Sequence, residues 1–425
     1  MNALVTKMDF IQFFKKYKKF IPLFLTLGIF LFYLTLYIVQ EKLVTQDGTL
    51  WISYGLQIFQ GDLQTFQFDG GAPSFSPLVY SPGYPFLVGL VNLVIQNPVH
   101  SAYLISMLMS ALLCLVVFYI SKNIFNEKIG YISLLLCGVY TGMKHYATET
   151  WIRSTGMFFL LLGLYLFLLS LKKNKIVYPL LTGAVLGAAV LVRFEFALYP
   201  ILAGVLFLFY VVRKKLKFRS LVYFSSALLI VYFLYSVPLY LNSGFKLLSP
   251  YISEKLLGEK MPDKPQFNYY PNRDIADYIV LFNNNTASSI NLSKQNKVKV
   301  SQEDWEQYRN QENSTSDTSG IFGNYQQMFH QIIPLVFRWH IIGFFILGIY
   351  FSFRNKKTQS FGLYGLIGIT LLVYPLGSVE AIRYYHHLQP LILIIASCGL
   401  FFAAESIKKI FKSGVVYYAM IALVL

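Results

Sequence analysis

The sequence is poor in charge and in cysteine, and poorer in acid than in base. Of its 425 residues only 13% are charged, three are cysteine, and 20 Asp and Glu stand against 36 Lys and Arg. So little charge beside 56% hydrophobic and 17% aromatic residues excludes an ordinary soluble domain. Several apolar runs reach the roughly 20 residues that cross a bilayer as a helix, so the chain reads as a polytopic membrane protein. Cys114, Cys137 and Cys398 all lie inside apolar runs. They offer no disulfide framework and no zinc spacing, and read as packed hydrophobes. A net charge of +16 is of a size found in nucleic-acid binders, but here the basic residues come in short clusters between apolar runs. That pattern marks cytoplasmic helix ends and excludes a nucleic-acid partner.

Backbone groups in lipid must pair internally, so each long apolar run is expected to be a helix. The runs are Phe20–Val39, Ser101–Ser121, Ile129–Tyr146, Trp151–Leu171, Ile176–Val192, Phe196–Val212, Ser220–Leu241, Ile333–Phe353, Phe361–Ser378, Leu388–Ile407 and Gly414–Leu425, about 11 spans in an all-α bundle. The first is long for a signal-peptide core and no small-residue cleavage site follows it, so it is kept as a helix. The last is still open at Leu425 and is expected to be short or cut off there.

Orientation follows from the basic clusters. Lys15, Lys16, Lys18 and Lys19 precede the first helix, which places the N-terminus in the cytoplasm. Lys122 with Lys128, the group at Lys172, the group from Arg213 to Arg219, the group at Arg354 and the group at Lys408 all fall on the same side under one condition. The apolar stretch Pro82–Ile95 must not cross. At about 14 residues between prolines it suits an interfacial or re-entrant helix. The first outer loop, residues 40–100, is thus expected to hold amphipathic helices at the membrane surface. The chain then divides into a transmembrane module over residues 1–240, an extracytoplasmic insert over 241–332 and closing helices over 333–425. From 242 to 332 there are nine Lys and Arg against ten Asp and Glu, with runs rich in Asn, Gln and Ser, so the positive excess lies elsewhere.

Charges at membrane depth are costly and tend to be functional. Four sets are not explained as anchors: Asp47; Glu149 with Arg153; Arg193 with Glu195; and Glu380, Arg383, His386 and His387. The charge-derived topology sends all four to the outer face, which points to one polar cavity walled by helix ends. The plainer alternative is local ion pairing, Glu149 with Arg153 at one helical turn or Arg193 with a neighbouring acid.

These residues, in this order, resemble the polytopic glycosyltransferases of the GT-C fold, particularly the protein-mannosyltransferase-like group that includes the aminoarabinose transferases. Gln46-Asp47-Gly48, with Trp51 and Tyr54, matches the acid that opens the family's first outer loop. Ser81-Pro82-Gly83-Tyr84-Pro85 matches its Pro-rich interfacial helix, and Glu149 the acid opening the fourth helix. The stretch from Gly183 to Pro200, with Arg193, is similar to its Gly-rich helix ending in a basic residue. Arg383-Tyr384 before Pro390 is similar to its Arg-Tyr start of a late helix.

The resemblance implies a multi-pass protein of a bacterial-type plasma membrane that moves a sugar from a polyprenyl-phosphate donor to a hydroxyl acceptor outside the cytoplasm, with inversion. It implies Asp47 as general base. It implies Arg193, Arg383, His387 and Arg153 on the donor phosphate, with His386 as an alternative to His387. Glu149, Glu195, Tyr54, Tyr84 and Tyr384 are then expected to orient the acceptor. Where the family often has a second acid the chain has Gly48, which argues against a divalent metal held by adjacent carboxylates. Rival readings are a transporter or flippase of lipid-linked sugars, a polysaccharide polymerase or ligase, and an assembly protein acting through its insert.

Overall fold

A computed structural model describes residues 17–39, 46–60, 81–150, 152–173, 175–243, 339–354, 364–368, 370–371, 386–411, 415, 418–419 and 421–422, with backbone alone at 46–47, 49–50, 53, 57, 60, 235–243, 339–340 and 386. Every regular element among them is helical. A 3-10 turn at Lys18–Phe20 leads into α1 (Ile21–Val39), followed by α2 (Gln46–Gln60) and α3 (Gly83–Ile95). Then come α4 (Pro98–Ile124), α5 (Glu127–Val139), α6 (Thr141–Ala147), α7 (Ile152–Lys173) and α8 (Val177–Val192). A 3-10 turn at Phe194–Ala197 enters α9 (Leu198–Val212), and α10 (Phe218–Ser243), α11 (Trp339–Arg354) and α12 (Gln389–Phe411) complete the set.

The central helix, α4, shows why these segments form where they do. Asn97 accepts the His100 amide at 3.0 Å and Pro98 fills the first helical position, a strong start signal. Its 27 residues extend about 40 Å, more than the hydrocarbon needs. Asn126 caps α5 in the same way, accepting from Ile129 N at 3.0 Å. Among the described residues, five helical stretches are long and apolar enough to cross a membrane: Lys18–Val39, Pro98–Ile124, Ile152–Lys173, Phe194–Val212 and Gln389–Phe411. The chain is an integral membrane protein. The expected spans at 361–378 and 414–425 fall largely outside the described residues.

One expected span is broken. Ile129–Tyr146 divides into α5 and α6 at Tyr140, whose backbone is extended (φ −61°, ψ 131°). The Tyr33 hydroxyl donates to Gly138 O at 2.9 Å and draws that carbonyl into a contact between helices. Thr141 and Gly142, both poor helix formers, follow the break.

The two ends of the bundle differ in charge. At one end Glu127 takes Lys18 at 2.7 Å and Lys122 at 3.1 Å, and Lys172 donates to both Asn123 oxygens at 3.0 Å. Three of the expected basic clusters therefore meet at one end. At the other end lie α2 and α3. With 13 residues α3 rises about 20 Å, too short to cross. Tyr84, Pro85, Val88 and Gly89 face inward, and the Tyr84 hydroxyl donates to Ala102 O at 3.3 Å, seating α3 on α4. The outward residues Phe86, Leu90, Leu93 and Val94 are apolar as well, so α3 lacks the polar side expected of an amphipathic helix and presents hydrocarbon. It crosses α2 in backbone contact: a Cβ at Gly55 would stand 2.5 Å from Pro85 O, and one at Gly89 2.4 Å from Gly55 O. Only glycine permits that approach. All three cysteines are buried, as their apolar surroundings predict.

Candidate active site at the helix ends

The entry to α7 organises the end opposite the lysines. Residues 148–150 turn the chain out of α6, and Thr150 is fully buried. The first turn of α2 rests directly on it, since a Cβ at Gly48 would stand 2.0 Å from Thr150 Oγ1 and 3.2 Å from Thr150 O. This contact places the backbone of Asp47 beside Glu149 and Thr150; its side chain lies outside the described residues. The geometry also accounts for the missing second acid. A carboxylate at position 48 would have to displace Thr150, so an adjacent-acid metal site is not built here, and among the described residues no three His, Cys, Asp or Glu side chains group to hold a metal.

Glu149 reaches back one helical turn. Its Oε1 stands 2.9 Å from His145 Nε2, while Oε2 is buried without a hydrogen-bond partner among the described residues. Thr150 Oγ1, Ser154 Oγ and Thr155 Oγ1 share that condition, so four buried polar oxygens gather at the entry to α7. Arg153 lies over the Tyr146 ring at 5.5 Å, a cation–π arrangement.

His145 sits on the short helix α6. The hydrogen bond and charge of Glu149 hold its pKa above the ordinary 6.5, against burial and Arg153. A raised folded-state value means the pair contributes stability below about pH 6.5, and that this contribution is lost as pH rises through the folded value. His145→Gln is therefore expected to lower the thermal midpoint in mildly acidic buffer and to match the parent well above the folded pKa. The gap will be small because the His145 side chain is largely exposed. Unfolding scans across pH check this, and a constant gap would assign His145 a purely steric role.

Arg193 closes α8 in extended conformation (φ −146°, ψ 114°). Its neighbour Phe194 donates its amide to Ser81 Oγ at 3.2 Å, which fastens this corner to the start of α3. The Arg193 guanidinium lies over the Phe196 ring at 5.8 Å, and its Nη2 is 3.4 Å from Glu195 Oε1. Position 156 of α7 is glycine against this group: a Cβ there would meet the Phe196 ring at 2.8 Å and the Arg193 Cγ and Cδ at 3.5 Å. Arg153 stands three residues earlier on α7, on the same side of the helix as Gly156.

Phe196 also reaches the last helix. Its ring meets that of His387 edge-on at 5.4 Å. His387 is buried and its Nε2 is bonded to the Tyr199 hydroxyl, which in turn lies 3.1 Å from Thr370 Oγ1. His387 thus ties α9 to α12 and stands behind Arg193, separated from it by one aromatic ring. Tyr54 is buried in the α2 packing, and Tyr84 is occupied with α4, which gives both a place in seating the first outer loop. Arg383 and Tyr384, together with the side chain of His386, lie outside the described residues.

A continuous series of contacts results, from Gly48 on Thr150, along α7 to Gly156, across to Arg193 and Phe196, and on to His387. Thr150, Gly156 and Phe196, which carry it, and His145 beside Glu149 are not singled out by the sequence. His145 was discoverable as a base one helical turn before Glu149. Thr150 and Phe196 had no signal of their own, because a buried Thr and a Phe beside an Arg are ordinary in apolar chains.

Residues 78–240 match the family model described as dolichyl-phosphate-mannose-protein mannosyltransferase. No curated protein matches the sequence. Among solved structures, the Archaeoglobus fulgidus oligosaccharyltransferase tethered to an acceptor peptide aligns with TM-score 0.60 at 14% identity, over 96% of this chain and 53% of its own. The same enzyme, AglB, in complex with an inhibitory peptide and a dolichol-phosphate gives 0.55 at 14% identity, over 96% and 54%. ArnT from Cupriavidus metallidurans bound to undecaprenyl phosphate gives 0.54 at 11% identity, over 89% and 59%. The chain spans little more than half the length of these structures. It has the GT-C fold, and its matched segment is protein-mannosyltransferase-like.

Proposed function

We propose that the chain is a glycosyltransferase that moves a sugar from a polyprenyl-phosphate donor to a hydroxyl acceptor on the extracytoplasmic face, with inversion. The observation that carries this reading is the series of contacts along α7. It ties the start of α2, which carries Asp47, to Thr150 just before α7, and the stem of Arg193 to Gly156 within that helix. An inverting displacement needs that division, with a base on the acceptor side of the anomeric carbon and cations on the phosphate side.

In this mechanism Asp47 takes the acceptor hydroxyl proton as its oxygen bonds to the anomeric carbon. The bond from that carbon to the phosphate oxygen breaks, and its electron pair stays on the phosphate. Arg193 meets the developing charge, supported by Arg153 and by Arg383, while His387 positions the aromatic floor beneath Arg193. Glu149, and the hydroxyls of Thr150, Ser154 and Thr155 beside it, orient the hydroxyl-bearing substrates. The ligands of the AglB and ArnT structures, a dolichol-phosphate and undecaprenyl phosphate, support a lipid phosphate as donor carrier. The apolar outer face of α3 suits the approach of such a lipid from the bilayer. We assign catalysis to the transmembrane module of residues 1–240 with the closing helices 333–425, and acceptor choice to the insert 241–332.

The test is incubation of the purified protein with a panel of polyprenyl-phosphate sugars, following donor consumption. One donor is expected to be consumed, and Arg193→Ala to lower that rate by about 10²–10³-fold, the effect of removing a donor aimed at developing charge. An unchanged rate in Arg193→Ala would move the phosphate elsewhere. Accumulation of donor in sealed vesicles with no covalent product would make the protein a carrier.

A further inference from the structure

Arg193 and Glu195 form a pair that the mechanism above uses only in part. The guanidinium is the better buried, with 11% of its side chain exposed against 25% for Glu195. A permanent partner for a buried Arg is expected close, at about 2.7–2.9 Å and often bidentate. Here Nη2 and Oε1 meet at 3.4 Å, the long end of the hydrogen-bonding range. The arginine, by contrast, is held in place by features that do not involve Glu195. Phe196 lies beneath the guanidinium, Gly156 accommodates its stem, and the turn is closed by Phe196 N to Arg193 O at 3.0 Å. The packing of Arg193 is thus set apart from its pairing with Glu195.

We infer that Glu195 is an exchangeable counter-ion that holds Arg193 when no lipid phosphate is bound, yields it to the donor, and takes it back to release the product. The inference rests on the functional reading above. The donor is a phosphodiester with one negative charge. After transfer the same phosphate is a monoester, carrying about −1.5 to −2 at neutral pH. The arginine therefore grips the product more strongly than the substrate, and left alone it would be inhibited by its own leaving group. A carboxylate two residues away on the same turn competes for the guanidinium and weakens that grip. An isolated neutralising role for Glu195 would make its loss harmful to Arg193 and to every ligand it holds. The exchange role makes its loss favourable to binding and unfavourable to release.

The experiment measures the affinity of the full-length purified protein for undecaprenyl monophosphate in nanodiscs, for the parent, Glu195→Gln, Arg193→Ala and the double variant. Glu195→Gln is expected to bind about 5–10-fold tighter, equivalent to roughly 1–1.4 kcal/mol, with stronger product inhibition and a lower kcat. The double variant is expected to match Arg193→Ala, because the competition acts through that guanidinium. Should Glu195→Gln not fold, Glu195→Asp, whose shorter carboxylate withdraws from Nη2, is expected to show a smaller gain of the same sign. Equal or weaker binding by the folded Glu195 variant overturns the exchange. If the parent binds the lipid phosphate and Arg193→Ala does not, that result leaves the glycosyltransferase reading standing. A parent that binds no lipid phosphate overturns both.

Discussion

Asp47→Asn is expected to lower sugar transfer by about 10²–10⁴-fold, the usual contribution of a positioned general base, while the protein inserts and unfolds like its parent. Asn keeps the size of Asp, and in the first turn of α2, where Asp47 stands, it gives up only the modest attraction of a carboxylate to the helix N-terminus. The substitution therefore removes proton acceptance with little else. Affinity for the lipid phosphate should change little, because Arg193, the cation proposed to meet it, packs further along α7, at Gly156. Donor consumption in single-turnover assays, paired with lipid-phosphate binding, separates the two effects. Near-parent turnover would remove Asp47 as the base, and lost binding with lost turnover would make it part of the donor site.

Gly48→Ala is expected to be nearly as damaging, by a different route. The added carbon would stand 2.0 Å from Thr150 Oγ1, where carbon–oxygen contacts normally exceed 3 Å, and overpacking of this kind costs about 1–3 kcal/mol. More important for activity, the start of α2 must lift away from the entry to α7, carrying Asp47 with it. Misplacement by an ångström is enough to cost about 10²-fold in rate. Thr150→Ala in the same chain removes the nearest atom and leaves a Cβ contact of 3.1 Å, so it should recover part of the loss. Gly48→Asp should lose at least as much, and gain no activity from added divalent cations. Metal-stimulated transfer in that variant would show that the position can accept the second acid. These two substitutions separate chemistry at residue 47 from the seating of residue 47.

Packing between helices in lipid has no strong hydrophobic drive and depends on close backbone approach and interhelical hydrogen bonds. The site illustrates this dependence. Gly48 on Thr150, Gly55 against Gly89 and Gly156 against Arg193 are all contacts of small residues, and they set where the charged groups stand.

How much of this was legible in advance can be argued from those residues. Hydropathy and basic clusters report the cost of placing each residue in water or lipid, a property of the residue and its immediate neighbours. For that reason α4 and the helices from α7 to α10 match the apolar runs to within a few residues, as do the short α3 and the grouping of Lys18, Lys122 and Lys172 at one end, whereas the run 129–146 divides into α5 and α6. The sorting of Glu149, Arg153, Arg193 and His387 to one end follows from the same count. Which of them touch does not, since contact depends on how far each helix is rotated about its axis and how closely two backbones approach.

The sequence by itself thus determined that this is a helical membrane protein, where most of its described helices run, and that Glu149, Arg153, Arg193 and His387 share one end. Only the tertiary structure decided that Glu149 pairs with His145, that α5 breaks at Tyr140 because Tyr33 takes the Gly138 carbonyl, and that Phe196 joins Arg193 to His387. Only it gave Gly48 a reason. Absence of a second acid in the sequence is a bare fact about composition, whereas the 2.0 Å approach to Thr150 is a steric requirement that appears once two distant segments meet.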